Sequence, residues 1–162
     1  MNMKLLKLLN KNGRTPVSEL ATMTGRTEEE IVADIEELEQ SGVIRGYKTV
    51  IDWERLDNTY VSAIIELKVT PKAGLGFEEV ARKVMKYPEV ESVYLMSGGF
   101  DLAVRVNAPS MQDIALFVAK RLAPLDSVLS TATHFILTRY KDGGVVLNPE
   151  DERDERRTVL CD

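Results

Sequence analysis

The chain has 162 residues, with 21 Lys and Arg against 26 Asp and Glu, for a formal net charge of −5. With 44 % hydrophobic and 29 % charged residues it is globular rather than fibrous or disordered. The acidic balance argues against broad nonspecific nucleic-acid binding but leaves room for a local basic patch.

The length allows one domain or two small ones. Apolar runs are short, as at Val61 to Ile65, and none reaches the roughly 20 residues that span a bilayer. No membrane partner is expected. The N-terminal apolar stretch has helical spacing and no small-residue cleavage site, so no signal peptide is read. Cys161 is the only cysteine. An intrachain disulfide and a Cys-based metal site are therefore excluded, which fits a cytoplasmic location.

Residues 2–12 read as a helix, with Met3, Leu5, Leu6, Leu8 and Leu9 on one face and Lys4, Lys7 and Lys11 on the other. Asn12-Gly13 ends it, with Gly13 expected in the left-handed conformation. Pro16 opens a short second helix, Val17 to Met23, which Gly25 breaks. Thr27 and Glu30 form a capping box for a third helix, and Glu28 and Glu29 suit its positive end. Ile31, Ile35 and Leu38 give it one buried stripe. Ser41-Gly42 ends it, and Val43 to Ile51 reads as extended, a strand pair with a turn or bulge at Gly46. This order is that of a winged helix-turn-helix. A plain three-helix bundle is the alternative.

Asp52 to Asn58 is polar and connects two parts. From Tyr60 the pattern becomes strand (Val61 to Val69), helix (Phe77 to Met85), strand (Val90 to Met96), turn (Ser97-Gly98-Gly99), strand (Phe100 to Val106), helix (from Ser110) and strand (Val128 to Arg139). Pro71, Gly74 and Gly76 fall in the first loop. Ser110 and Asp113 form a cap at the second helix. The order β-α-β-β-α-β is the ferredoxin-like arrangement, with helices on one face of an antiparallel sheet. The last strand carries Leu129, Phe135 and Leu137 on one side, with Val128, Ala132 and Ile136 on the other. Apolar residues on both sides call for a second cover, so a homodimer through the open sheet face is expected. The expected fold class is therefore α+β, with boundaries at 1–52 (winged helix-turn-helix head), 53–59 (linker), 60–147 (sensor and oligomerisation domain) and 148–162 (charged tail). The tail is either a solvated end or a segment that docks Val159 and Leu160 on a neighbouring subunit.

Four segments in this order resemble the Lrp/AsnC, or feast/famine, family of transcriptional regulators. They are LLKLLNKNGRTPVSELATMTG (5–25), ELEQSGVIRGYKTVID (37–52), VESVYLMSGGFDLAVRV (90–106) and STATHFILTRYKDGG (130–144). The resemblance covers residues 2–147. It implies a DNA-binding head and a RAM-type sensor domain. It also implies a small effector, usually an amino acid, bound in clefts between sensor domains of neighbouring subunits of a homodimer or octamer. At matching positions it points to Gly98, Gly99, Phe100 and Asp101 and to the hydroxyls of Ser130, Thr131 and Thr133. A Gly-rich turn would let a ligand approach backbone N–H groups, and Asp101 could pair with an α-amino group. The plainer reading is a hairpin turn and ordinary strand residues.

The third helix departs from the family. It carries seven acidic residues (Glu28, Glu29, Glu30, Asp34, Glu36, Glu37 and Glu39) and no Lys or Arg, where family helices commonly carry basic ones. Phosphates would repel it. Either DNA is bound through Lys11, Arg14, Arg26 and Lys48 around the head, or the head is DNA-silent and acts through protein partners. Glu can also accept from cytosine.

Catalytic patterns are sparse. His134 is the only histidine and reads as a packed or hydrogen-bonded strand residue. Neither an HExxH metal spacing nor a phosphate loop occurs, so neither a metal nor a cofactor is expected. Haem-pathway decarboxylases are similar to this family in both domains, but a single His suits tetrapyrrole chemistry poorly. The chain is not expected to be an enzyme.

Overall fold

The computed structural model describes residues 2–56, 61–70 and 76–147. The charged tail with Val159, Leu160 and Cys161, the linker residues 57–60 and the loop residues 71–75 lie outside them. The chain divides into two compact units. One takes residues up to Ile51 together with Lys141–Val146; the other takes Asp52–Tyr140 and resumes at Leu147.

The first unit contains α1 (Met3–Lys11), α2 (Val17–Thr24) and α3 (Glu28–Gln40). Asn2 caps α1 by accepting from the Leu5 N–H at 3.1 Å. Pro16 precedes α2, where its missing N–H costs nothing. Gly25 ends α2 at φ +72°, a left-handed position that suits glycine. The capping box at α3 is complete. Thr27 Oγ1 accepts from Glu30 N at 3.2 Å, and Glu30 Oε2 accepts from Thr27 N at 3.0 Å. That backbone bond, reinforced by Arg26, holds the Glu30 carboxyl below its ordinary pKa. Thr27→Ala should lower the stability of this unit by about 1 kcal/mol in urea melts, and Thr27→Ser should restore it.

Leu5, Leu20, Ala21, Ile31 and Leu38 form the buried core here, with Leu9, Ile35 and Ile44 packed around them. Gly13 is not left-handed. It is needed for space, because a β-carbon there would lie 2.9 Å from Cδ1 of the Tyr47 ring. The strand pair expected over 43–51 does not form. That stretch pairs with nothing as a strand, and the unit's hairpin comes instead from far along the chain. It is β5 (Lys141–Asp142) paired with β6 (Val145–Val146), numbered after the four strands of the second unit. Gly143 and Gly144 turn it at φ +53° and +84°. Both left-handed positions match the favoured two-residue hairpin turn.

The second unit runs β1 (Val61–Val69), α4 (Glu78–Val84), β2 (Val90–Leu95), β3 (Leu102–Ala108), α5 (Met111–Phe117) and β4 (Val128–Phe135). A π-helical turn, Val118–Leu122, extends α5. The antiparallel sheet has the order β2-β3-β1-β4, the α+β ferredoxin-like arrangement. Ser110 Oγ caps α5 by accepting from Asp113 N at 3.1 Å.

One sheet face is covered by helices. Ala63, Ile65 and Leu67 of β1 and Leu102, Val104 and Val106 of β3 meet Val80 and Val84 of α4 and Ile114 and Phe117 of α5 there. Tyr87 adds an edge-on ring contact with Phe117 at 5.5 Å between centroids.

Two bulges alter the expected faces. In β4, Lys68 pairs with Ser130 but Val69 pairs with Val128, so Leu129 is the extra residue. Val128 thus joins the core edge along with Phe135, while Leu129 is 70 % exposed. The expectation that Val128 faces away from Phe135 is corrected by this one-residue slip. In β2, Glu91 is the extra residue between the pairs Val90–Val106 and Ser92–Arg105. β4 also ends at Phe135, short of Arg139.

Candidate effector and DNA-binding sites

The loop between β2 and β3 contains Gly98, Gly99 and Phe100, with Asp101 at its base. Met96 N–H donates to the Asp101 carbonyl at 2.8 Å, and Asp101 N–H donates to the Leu67 carbonyl at 2.9 Å. The Asp101 carboxylate accepts from Val69 N–H at 2.8 Å. One oxygen of this carboxylate therefore ties β3 to the end of β1. Gly98 and Gly99 are exposed, and neither has positive φ. No heavy atom lies within 4 Å of where a β-carbon would stand. The two glycines are thus open on the side where a side chain would stand, as close ligand approach requires, while Phe100 and Asp101 are half-buried.

β1 links this loop to the hydroxyl residues. Leu67 pairs with Thr131 and Lys68 with Ser130 on its β4 side, and Leu67 pairs with Leu102 on its β3 side. Asp101, Ser130 and Thr131 therefore lie at one end of the sheet. Their faces differ. Thr131 and Thr133 stand opposite the buried Leu67 and Ile65, so they lie on the helix-covered face, half-buried. Ser130 stands opposite Lys68 on the open face and is exposed. The three hydroxyls do not converge on one point.

The open face holds further polar residues, of which only His134 was singled out from the sequence. Arg105 Nε meets Glu91 Oε2 at 3.0 Å. Asn107 donates to Glu91 at 2.9 Å and bonds Ser62, which Arg139 also reaches. His134 Nε2 lies 3.3 Å from Glu66 Oε1 with its side chain 59 % exposed. His134 is thus paired but not packed. Ile64, Ala103, Tyr94 and Ala132 share the face by register. The signal was available in the period-2 alternation of β1 and β4, but the partner strand of each residue was not.

In the first unit, Lys11 ends α1 and is exposed, and Arg14 and Lys48 are exposed in loops. Arg26 is different. Its guanidinium pairs with Asp34 and lies 3.5 Å from Glu30, so two carboxylates of α3 already neutralise it. The solvent side of α3 carries Glu29, Glu36, Glu37 and Gln40, with Val32 among them. Tyr47 donates its hydroxyl to Glu39 at 2.9 Å. Burial and that carboxylate raise the phenol pKa above its ordinary value.

Among the described residues, no group of three His, Cys, Asp or Glu could hold a metal ion. No described helix is long and apolar enough to cross a membrane. A shallow groove in the second unit is lined by Glu89, Ala108, Pro109, Leu116, Phe117 and Lys120, among others. None of the expected effector residues lines it.

The family model "Lrp/AsnC ligand binding domain" matches residues 62–146. The chain is 45 % identical over 158 residues to the HTH-type transcriptional regulator YugG of Bacillus subtilis, covering 97 % of this chain and 94 % of that one. The chain belongs to the Lrp/AsnC family. It is also 32 % identical to the HTH-type transcriptional regulator FL11 of Pyrococcus furiosus, over 86 % of this chain and 89 % of that one. Among solved structures it is similar to a transcriptional regulator of Neisseria meningitidis in complex with L-Met. There the TM-score is 0.71 at 26 % identity, over 88 % of this chain and 93 % of the other. This Lrp/AsnC chain is an effector-responsive transcriptional regulator and not an enzyme, as its named relatives are regulators.

Proposed function

We propose that this regulator binds DNA through a helix-turn-helix formed by α2 and α3, and that it responds to an amino acid bound at the Gly98–Asp101 end of the sensor sheet. The observation that carries the reading is the α2–Gly25–α3 arrangement. It joins a left-handed glycine turn to a fully capped third helix, packed on a shared core. The domain boundaries proposed are the head at 1–52, the linker at 53–59, the sensor at 60–147 and the tail at 148–162.

Lys11, Arg14 and Lys48 are the proposed phosphate contacts. Arg26 is the weakest of the four candidates, because α3's own carboxylates hold it. Gly98, Gly99, Phe100, Asp101 and Ser130 are the proposed effector contacts. Thr131 and Thr133 would reach a ligand only from the helix-covered side. Assembly is proposed as a homodimer, alone or within an octamer, through Ile64, Ala103, Tyr94 and Ala132 on the open face, which has no helices of its own to cover it; the proposed location is the cytoplasm.

A second reading has an observation of its own. The exposed side of α3 is acidic and Arg26 is paired, so a head that is silent toward DNA and acts through protein partners remains the competing account. Selection from a random-sequence DNA pool at about 50 mM salt separates the two. Binding should weaken steeply with salt, and Arg14→Ala should weaken it on every sequence while flattening the salt slope by about one unit. A folded protein that retains no DNA from the pool overturns the DNA-binding reading.

A further inference from the structure

The chain crosses between its two units more often than a head followed by a sensor requires. The peptide bond Ile51–Asp52 is the first crossing. The hairpin β5–β6 adds two more, at Tyr140–Lys141 and Val146–Leu147, because Lys141–Val146 belongs to the first unit. Yet the ligand-binding-domain family model extends to residue 146. The last stretch of the sensor sequence is structurally part of the head.

The crossings are joined on both sides. Within the second unit, the turn just after the first crossing (Trp53–Arg55) meets the segment just before the second. Glu54 Oε1 accepts from Arg139 N–H at 3.2 Å. Arg139 also reaches Ser62 at the start of β1, and Ile136 N–H donates to the Ser62 carbonyl at 2.9 Å. The hairpin's base is closed by Leu147 N–H donating to the Tyr140 carbonyl at 2.9 Å. Within the first unit, Val50, next to the first crossing, lies against the hairpin turn. A β-carbon on Gly143 would stand 3.2 Å from Val50 Cγ2.

We propose that these joined crossings form a strap by which the state of β4 and β1 in the sensor is passed to the head. A single flexible linker would let the two units respond independently. In such a strap the two lines of chain are tied by the Glu54–Arg139 hydrogen bond on one side and lie close at Val50 and Gly143 on the other, so a displacement of one line is felt by the other. The segment from Phe135 to Tyr140 continues directly from the strand that carries Ser130. A ligand that favours one arrangement of that strand thereby biases the hairpin, a coupling set by differential affinity for the two states. The regulatory part of this inference rests on the effector-responsive DNA-binding reading above; the mechanical part does not.

The test uses the full chain in two arms. In the first, amide hydrogen exchange is followed in Glu54→Ala, which removes the acceptor for Arg139, and in Glu54→Gln, which keeps one. Glu54→Ala should raise exchange about threefold in the hairpin amides of Lys141–Val146, across the unit boundary, and Glu54→Gln should largely restore it. Unchanged hairpin exchange in Glu54→Ala overturns the strap, whether or not the protein binds DNA.

The second arm measures affinity for DNA selected from a random pool, with and without each of the twenty amino acids at millimolar concentration. The fold-change in DNA affinity caused by the active amino acid should fall toward one in Glu54→Ala. The affinity for DNA alone and for the amino acid alone should stay within about twofold of wild type. A fold-change equal to wild type overturns the regulatory role. Loss of the amino-acid response in the wild type itself, with hairpin exchange still raised in Glu54→Ala, defeats the effector reading and leaves the mechanical strap standing.

Discussion

Leu20→Ala should unfold the head while leaving the sensor folded. Leu20 is fully buried in a core that comprises, among the described residues, five buried side chains, with Leu5, Ala21, Ile31 and Leu38. Deleting three carbons from such a site costs about 2–5 kcal/mol, through lost transfer energy and the cavity left behind. A unit of this size has little more stability than that to lose. The sensor core is larger, and Leu20 is not part of it. Calorimetry should show a low-temperature transition lost or shifted by 10 °C or more, on the order expected for a small domain, with the sensor transition kept. Any DNA binding should vanish with it. A single transition that shifts as a whole would mean that the units melt together.

The second large effect concerns Asp101. Its carboxylate accepts from Val69 N–H at 2.8 Å in a half-buried position. Asp101→Ala leaves that N–H without its partner, which costs about 1–3 kcal/mol. Asp101→Asn keeps an acceptor oxygen at the same place and should recover most of the loss. The two variants separate the structural duty from the proposed ligand duty. An α-amino group needs the charge as well as the oxygen. In a thermal-shift screen with the twenty amino acids, the wild type should be stabilised by its effector through mass action. Asp101→Asn should melt near the wild type yet lose that shift. A stable Asp101→Asn that keeps the full shift would remove Asp101 from the effector site and leave it a fastener between strands.

Much of the fold was legible because local chemistry and global packing agree. Thr27 and Glu30 lie three residues apart before an apolar stripe, and they form the capping box that this spacing calls for. Gly25 sits where a helix has to stop, and it stops there. β1 begins and ends where its β-branched and apolar run does. The misses share one cause, namely pairing with distant residues. Gly13 is glycine because Tyr47 lies over it, and nothing near residue 13 announces a ring 34 positions away. Residues 43–51 looked like strands, but the hairpin of that unit comes from residues 141–146, whose Gly-Gly turn was seen only as the end of a motif. The candidate site was legible as a set of residue types at one end of the sheet. Which hydroxyls share a face depended on the register of β4 against β1. A single extra residue there, Leu129, moved Val128 onto the core side. The pairing of Arg26 with Asp34 and Glu30 was not legible, because Arg26 precedes the extended Thr27 cap and lies outside the helix on which one-turn spacing brings side chains together.

The same extra residues have a consequence for the protein in a crowded solution. A four-stranded sheet has two outer strands, here β2 and β4. Each offers a row of backbone groups on which a stray chain could lengthen the sheet without limit. Glu91 interrupts one row and Leu129 the other, each next to the first residue of its strand, so the regular template is shortened to Ser92–Leu95 on one rim and Ser130–Phe135 on the other. An unwanted strand that ran on to the start of either strand would fall out of step there. Glu91 turns its carboxylate onto Arg105 and Asn107 of β3, whereas Leu129 leaves an apolar side chain 70 % exposed on the β4 rim. Self-association into fibrous material on heating would therefore start along β4, and a lysine at position 129 would suppress it.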